Sequence, residues 1–147
     1  MAQQVAEPGT KGETGATPAE ILEQSLWAVA ESGEDITPHF FKRLFESYPD
    51  QEKSFYHPAD TCGTMVNEMI EMLMALAAEE TWVDNSTRSL VMAHRCFGDI
   101  KLPLYAESLQ LLIDTLADLA SDNWTPEFDK AWRGQAERLS AIIKDAY

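Results

Sequence analysis

His94 is the residue whose type and position most directly suggest chemistry in this sequence. It lies in TRSLVMAHRCFG, residues 87–98, on an apolar stripe with Leu90, Val91 and Phe97. Their three- and four-residue spacing places them on one face of a helix, and the final glycine is typical of a helix end. An inward histidine loses free energy on burial unless its ring nitrogens find partners. His94 is therefore either a core histidine bonded to a carbonyl or a metal ligand.

The signatures of the commoner enzyme and metal-site classes are absent from the sequence. There is no Gly-rich phosphate loop, HExxH, GxSxG or EF-hand pattern. Cys62 and Cys96 occur without a CxxC motif or a Cys/His pair at zinc spacing, so we expect two free thiols in a reducing compartment. The acidic residues are scattered along polar helix faces, as solvated charges usually are.

Length and charge restrict the classes of partner. The chain has 147 residues, with 25 acidic and 11 basic side chains and a formal net charge of −14. This balance disfavours nucleic acid and anionic membrane surfaces, because both require basic patches. No segment approaches the roughly 18 uninterrupted apolar residues of a membrane helix, and the N-terminus lacks the basic start and apolar run of a signal peptide. We expect a cytoplasmic protein with no nucleic-acid or membrane partner.

Helical periodicity runs through most of the chain, with no alternating strand pattern, so the predicted fold class is all-α. Residues 1–17 contain almost nothing to bury and are predicted to be a disordered tail, with one domain at 18–147. Thr17 is expected to cap the first helix. Six helices are predicted. The first starts at Pro18 and ends before Gly33, and the second starts within 35–38 and ends before Pro49. The third covers 60–79, a turn covers 81–85, and the fourth helix covers 86–97; the fifth starts at Pro103 and ends before Asp122, and the sixth starts within 125–127 and reaches the end.

The order of these elements resembles the globin family, most closely the single-domain bacterial globins of the flavohaemoglobin type. An aromatic-rich helix, FFKRLFESYP, ends at a proline, and Phe55 follows that proline by six residues. A long apolar-faced helix comes next, and then the inward His94 with Leu90 four residues before it. Further matching positions are Trp27, Phe41, Phe45, Pro49, Gly98, Tyr105 and the pair Ala131–Trp132. The resemblance covers residues 18–147.

The resemblance implies a globin fold that holds haem b, iron protoporphyrin IX. His94 matches the proximal iron ligand, which is the single histidine that holds globin haem, and Leu90 lies one turn before it. Phe55 matches the phenylalanine that packs on the haem face, and Phe41 matches the second-helix residue that overhangs the distal side. Tyr105 is a candidate hydrogen-bond partner that would tune the basicity of His94, although packing explains this tyrosine equally well.

The distal side departs from the family pattern, because the long helix contains no histidine or glutamine at the place where globins commonly carry one. In the family, typical numbers of residues separate the distal position from the proximal histidine and from the haem-face phenylalanine. Counted from His94 and from Phe55, both lead to Met65, with Met69 one turn later. A register three residues later would place Glu68 there, with Met72 beyond it. Glu68 lies at the polar edge of the helix, where its charge costs less outside a pocket than inside. We therefore prefer Met65.

The resemblance implies reversible binding of a diatomic gas, oxygen, nitric oxide or carbon monoxide, here beside an apolar distal pocket of Phe41, Phe55, Met65 and Met69. Bound oxygen carries partial negative charge and is held poorly without a donor, which favours gas sensing or NO and redox handling over oxygen storage. The sixth iron position would be open, with a methionine sulfur or His57 as alternatives. Two rival functions remain: a haem-free signalling module that acts through protein contacts, and an NO dioxygenase or peroxidase supplied by an external reductase.

The low apolar content of residues 1–17 generates a first prediction. A chain that begins at Thr17 is expected to keep its helicity, its melting temperature and its haem binding, because the removed segment offers no apolar surface to bury. Circular dichroism and thermal unfolding of the shortened and full chains test this. A loss of several degrees in melting temperature would show that the tail packs on the domain.

Overall fold

The computed structural model describes residues 15–55, 58–97 and 100–147, without the side chains of 58–60 and 97. Every regular element within these ranges is helical, which confirms the all-α class. The α-helices are α1 Pro18–Ala30, α2 Ile36–Ser47, α3 Pro58–Ala77, α4 Val83–His94, α5 Leu102–Ala120 and α6 Pro126–Ala146. Short 3₁₀ turns lie at Pro49–Ser54, Arg95–Phe97 and Ser121–Asn123. Our expectations for residues 1–14, for His57 and for Gly98 fall outside the described residues.

Side-chain caps fix the starts of three helices. Thr17 accepts a hydrogen bond from the Glu20 backbone at 3.2 Å, and the Glu20 carboxylate accepts one from the Thr17 backbone at 2.9 Å. This reciprocal pair satisfies N–H groups that a helix start leaves without partners, and it confirms the predicted Thr17 cap. Asp35 caps α2 and Thr125 caps α6 in the same way, each through one bond. The sequence signals for helix starts were therefore reliable at these positions.

The helix that carries His94 begins earlier and ends earlier than the sequence predicts. The predicted turn at 81–85 is confined to Thr81 and Trp82, because α4 already begins at Val83. The α-helical part ends at His94, and a 3₁₀ turn continues from it to Phe97, the predicted last residue. Val83 is buried in the core, and the Asp84 carboxylate accepts a 2.8 Å hydrogen bond from Arg88 one turn later. Both contacts stabilise a first turn that lacks strong helix-forming residues. The predicted helix at 60–79 likewise starts two residues early, at Pro58.

Helix α6 is the packing surface shared by most of the fold. It contacts α1, α3, α4 and α5, while α2 packs on α5 and α3. By contrast, α3 and α4 contact each other only sparsely among the described residues. The largest fully buried side chains are Trp132, Phe40, Leu22, Leu73, Leu112, Ile113, Leu116 and Leu139. The core is therefore centred on α6, and the facing sides of α3 and α4 are left partly apart.

A buried polar contact links α1 to α6 inside this core. The Trp132 indole N–H donates to the Ser25 hydroxyl at 2.7 Å, and that hydroxyl donates to the Leu22 carbonyl at 2.6 Å. Both Trp132 and Ser25 are fully buried. A buried indole N–H requires an acceptor, so Ser25 fixes where α1 crosses the tryptophan.

We expect Ser25→Ala to lower the free energy of unfolding by about 1–3 kcal/mol, because it leaves the Trp132 N–H buried without an acceptor. Urea unfolding followed by tryptophan fluorescence measures the change. Ser89→Ala, at an exposed position of α4, is the matched control and should change stability by less than about 0.5 kcal/mol. Equal losses in the two variants would contradict a specific role for the Ser25 hydroxyl.

Candidate functional site

His94 ends α4 in a half-buried position with one ring nitrogen engaged. Its Nδ1 is hydrogen-bonded at 3.2 Å to the hydroxyl of Tyr105, from the first turns of α5, and the two ring centroids are 5.6 Å apart. Burial lowers the pKa of His94 below its usual value, which favours the neutral imidazole. When Nδ1 donates its proton to the Tyr105 oxygen, the lone pair is left on Nε2. Among the residues that the structure describes, Nε2 has no hydrogen-bond partner.

The contact between His94 and Tyr105 resolves one question that the sequence left open. Both packing and a hydrogen bond were compatible with the spacing of these residues, and the structure contains the bond. A polar partner on Nδ1 orients the ring and raises its basicity when the other nitrogen binds a metal. A histidine that binds a metal commonly has its other nitrogen bonded to a polar partner of this kind.

Three phenylalanines form a tight aromatic cluster where α2 meets the segment after the first 3₁₀ turn. The ring centroid of Phe41 lies 5.2 Å from that of Phe55 and 5.4 Å from that of Phe45, and Phe45 and Phe55 are 5.6 Å apart. Phe41 is buried and Phe55 is half-buried. The structure thus brings Phe41 and Phe55 into contact, and their place in a distal pocket stays a prediction. Phe45 was missed as a candidate site residue, although its place in the aromatic run FFKRLF was a usable signal.

The methionines of α3 lie at the margin of the core. Met65 and Met69 are partly buried and pack against core side chains, Met72 is buried, and Glu68 is exposed. The exposure of Glu68 agrees with the polar-edge position expected from the sequence. The assignment of Met65 to a distal site stays a prediction.

A surface groove of about 500 Å³ lies between α3 and α4. It is lined by Glu68, Glu71 and Met72 of α3, by Asn85, Ser86, Ser89, Leu90 and Ala93 of α4, and by Trp82 just before α4. Of the predicted site residues it includes Leu90, and it includes neither His94 nor Met65. Trp82 was missed by sequence reasoning, although a large aromatic residue in a polar connecting segment is a recognisable signal.

His39, Cys62 and Cys96 form no metal site among the described residues. The ring of His39 is exposed and lies 3.0 Å from the Glu34 carboxylate. Cys62 is buried, which raises the pKa of its thiol, and Cys96 is exposed; both are free cysteines, as predicted. No group of three or more His, Cys, Asp or Glu side chains within the described ranges could hold a metal ion. Haem needs one protein ligand, and of the two histidines that the structure describes, His94 is the half-buried one whose Nε2 has no partner among the described residues.

Within the part of the chain that the structure describes, none of the helices has the length and apolar character needed to cross a bilayer.

Comparisons with known proteins gave a similar sequence and no matching family model. The chain is 25% identical over 131 residues to the flavohemoprotein of Bacillus subtilis (strain 168), and the match covers 87% of this chain and 32% of that protein. The chain thus spans about a third of the length of this relative. Together with the all-helical fold, the similarity supports a relationship to the globins at the level of the family.

Proposed function

We propose that this protein is a haem-binding globin in which His94 holds the iron and a diatomic gas binds on the opposite side. The observation that carries the proposal is the state of His94: its ring is half-buried, Nδ1 is bonded to Tyr105, and Nε2 is free of partners among the described residues. An imidazole nitrogen without a protein partner is open to coordinate a metal. The similarity to a flavohemoprotein supports haem as the bound group.

The packing of α3 and α4 supports a binding space between them. Both helices pack closely on α6 but contact each other sparsely, and the Thr87 hydroxyl lies 3.9 Å from the Met72 sulfur where they approach. Met65 precedes Met72 by seven residues, and His94 follows Thr87 by seven residues. At 1.5 Å per residue, both lie about 10 Å along their helices from that approach, in the direction away from the connecting segment. A flat ligand inserted there would have Met65 on one side and His94 on the other.

The side chains proposed for the distal side are apolar. Phe41 and Phe55 belong to the aromatic cluster, and Met65 and Met69 border the core on α3. Bound haem would supply the iron that coordinates the gas. The chain's own contribution is to exclude water and to offer no strong hydrogen-bond donor, which weakens the hold on oxygen more than on carbon monoxide. We therefore propose gas sensing or NO and redox handling over oxygen storage.

We include an external reductase among the proposed partners. The name of the similar protein denotes flavin as well as haem, and this chain matches only 32% of it. An NO dioxygenase or peroxidase activity would require electrons from such a partner. The haem-free signalling module is the alternative, and the visible spectrum of the purified protein separates the two, because only the haem protein has a Soret band.

We expect His94→Ala to lose normal haem retention and to recover it when imidazole is added, since imidazole can replace the missing ring. Haem content and the Soret band measure both effects. His39→Ala is the matched control, because its ring is exposed and paired with Glu34, and it should bind haem as the parent does. Unchanged haem content in His94→Ala would contradict the ligand assignment, and a parent protein without a Soret band would favour the haem-free module.

The distal assignment is tested by Met65→Gln beside Glu68→Ala. A glutamine at position 65 would donate a hydrogen bond to bound oxygen, and about 1–3 kcal/mol from that bond slows oxygen dissociation roughly 5- to 150-fold. Glu68→Ala should leave gas kinetics nearly unchanged, because its side chain is exposed. Stopped-flow measurement of oxygen release distinguishes the variants. The opposite pattern, with a large effect only for Glu68→Ala, would show that the α3 register is wrong by one turn.

A further inference from the structure

The side chain of Tyr147 joins the end of α6 to the segment that leads into α5. Its hydroxyl donates to the Ile100 carbonyl at 3.0 Å. Its ring lies edge-on to that of Tyr105, with centroids 6.3 Å apart and an interplanar angle of 75°. Tyr147 therefore contacts the tyrosine that is bonded to His94 and also holds the backbone five residues before that tyrosine.

Arg95 holds Tyr147 from the other side. It directly follows His94, and its guanidinium donates to the backbone oxygens of Ala146, at 3.4 Å, and of Tyr147. The same guanidinium lies 6.0 Å from the centroid of the Tyr147 ring, within the range of a cation–π interaction. The end of α6 is thus tied to the residue next to the proposed iron ligand.

These contacts restrict where the Tyr105 hydroxyl can lie. Tyr105 is half-buried, and its ring is flanked by the His94 ring at 5.6 Å and by the Tyr147 ring at 6.3 Å. A phenol that can swing away forms its hydrogen bond for only part of the time, whereas contact with two neighbouring rings reduces that freedom. The Ile100 bond in turn limits how far the Tyr147 ring, which is 45% exposed, can move.

We infer that Tyr147 is a positioning residue for the His94 site, because it holds the Tyr105 hydroxyl against Nδ1 of His94. The inference rests on the proposed function for its consequence, because a hydrogen bond on Nδ1 raises the basicity of a histidine that binds metal through Nε2. The support of Tyr105 by Tyr147 does not depend on a bound group, so it can be tested in the haem-free protein.

The first measurement uses the haem-free protein and ¹⁵N NMR of the His94 ring. Tyr105→Phe removes the bond and defines the full shift of the Nδ1 resonance. Tyr147→Ala should shift that resonance in the same direction by at least half as much. Tyr147→Phe, which keeps the ring and loses only the Ile100 bond, should give a smaller shift, and Tyr48→Phe, directly after α2, should give none.

The inference also predicts how the variants combine. In a Tyr105→Phe background, Tyr147→Ala should cause no further shift, because Tyr147 acts through the Tyr105 hydroxyl. An equal shift in both backgrounds would overturn the inference, and so would a parent-like resonance in Tyr147→Ala or no shift in Tyr105→Phe. If Tyr147→Ala does not fold by circular dichroism, Tyr147→Phe decides, and a parent-like resonance in that variant overturns the inference.

The second measurement uses protein that has taken up haem. The iron–histidine stretching frequency in resonance Raman spectra should fall in Tyr147→Ala, and Tyr105→Phe should lower it further. An unchanged frequency in Tyr147→Ala beside a lowered one in Tyr105→Phe would overturn the inference. If the parent takes up no haem, the proposed function fails, and the ¹⁵N result decides the role of Tyr147 by itself.

Discussion

The structure depends on the burial of one face of α6. Trp132 lies fully buried at its centre, and the helix is contacted by α1, α3, α4 and α5. Burying a tryptophan removes a large apolar area from water but also removes its N–H from water, so the core must supply an acceptor. Ser25 supplies it at 2.7 Å. This bond sets how α1 crosses α6, while apolar contact fills the rest of the interface.

Polar contacts on α6 fix the positions of the neighbouring helices along it. Arg138 donates to the Leu76 carbonyl at 3.0 Å, which satisfies a backbone acceptor in the last turn of α3. Arg133 contacts the Asp114 carboxylate of α5 at 2.8 Å. Exposed ion pairs contribute little to stability, so these arginines matter mainly for alignment. Because α3 and α4 each align on α6, they need not close on each other, and a space between them is compatible with a well-packed core.

The proposed site combines a polar proximal side with an apolar distal side. On the proximal side, His94, Tyr105 and Tyr147 form a chain of contacts that reaches the end of α6, with Arg95 alongside. The proposed distal side consists of phenylalanines and methionines, whose side chains offer no strong donor. A protein built in this way would tune bound iron mainly through the histidine and not through bonds to the gas.

The sequence by itself determined the helical class, most helix positions and the inward placement of His94. Those features depend on local physics: apolar spacing, and caps such as Thr17, act within a few residues of the chain. Only the tertiary structure decided that α4 begins at Val83, because burial against the core outweighed weak local propensity there. It also decided that Tyr105 bonds to His94 and that Tyr147 supports it. These residues lie at the end of α4, the start of α5 and the end of α6, and they are far apart in sequence. Their contacts depend on how these three helix ends pack together, which local sequence patterns do not specify.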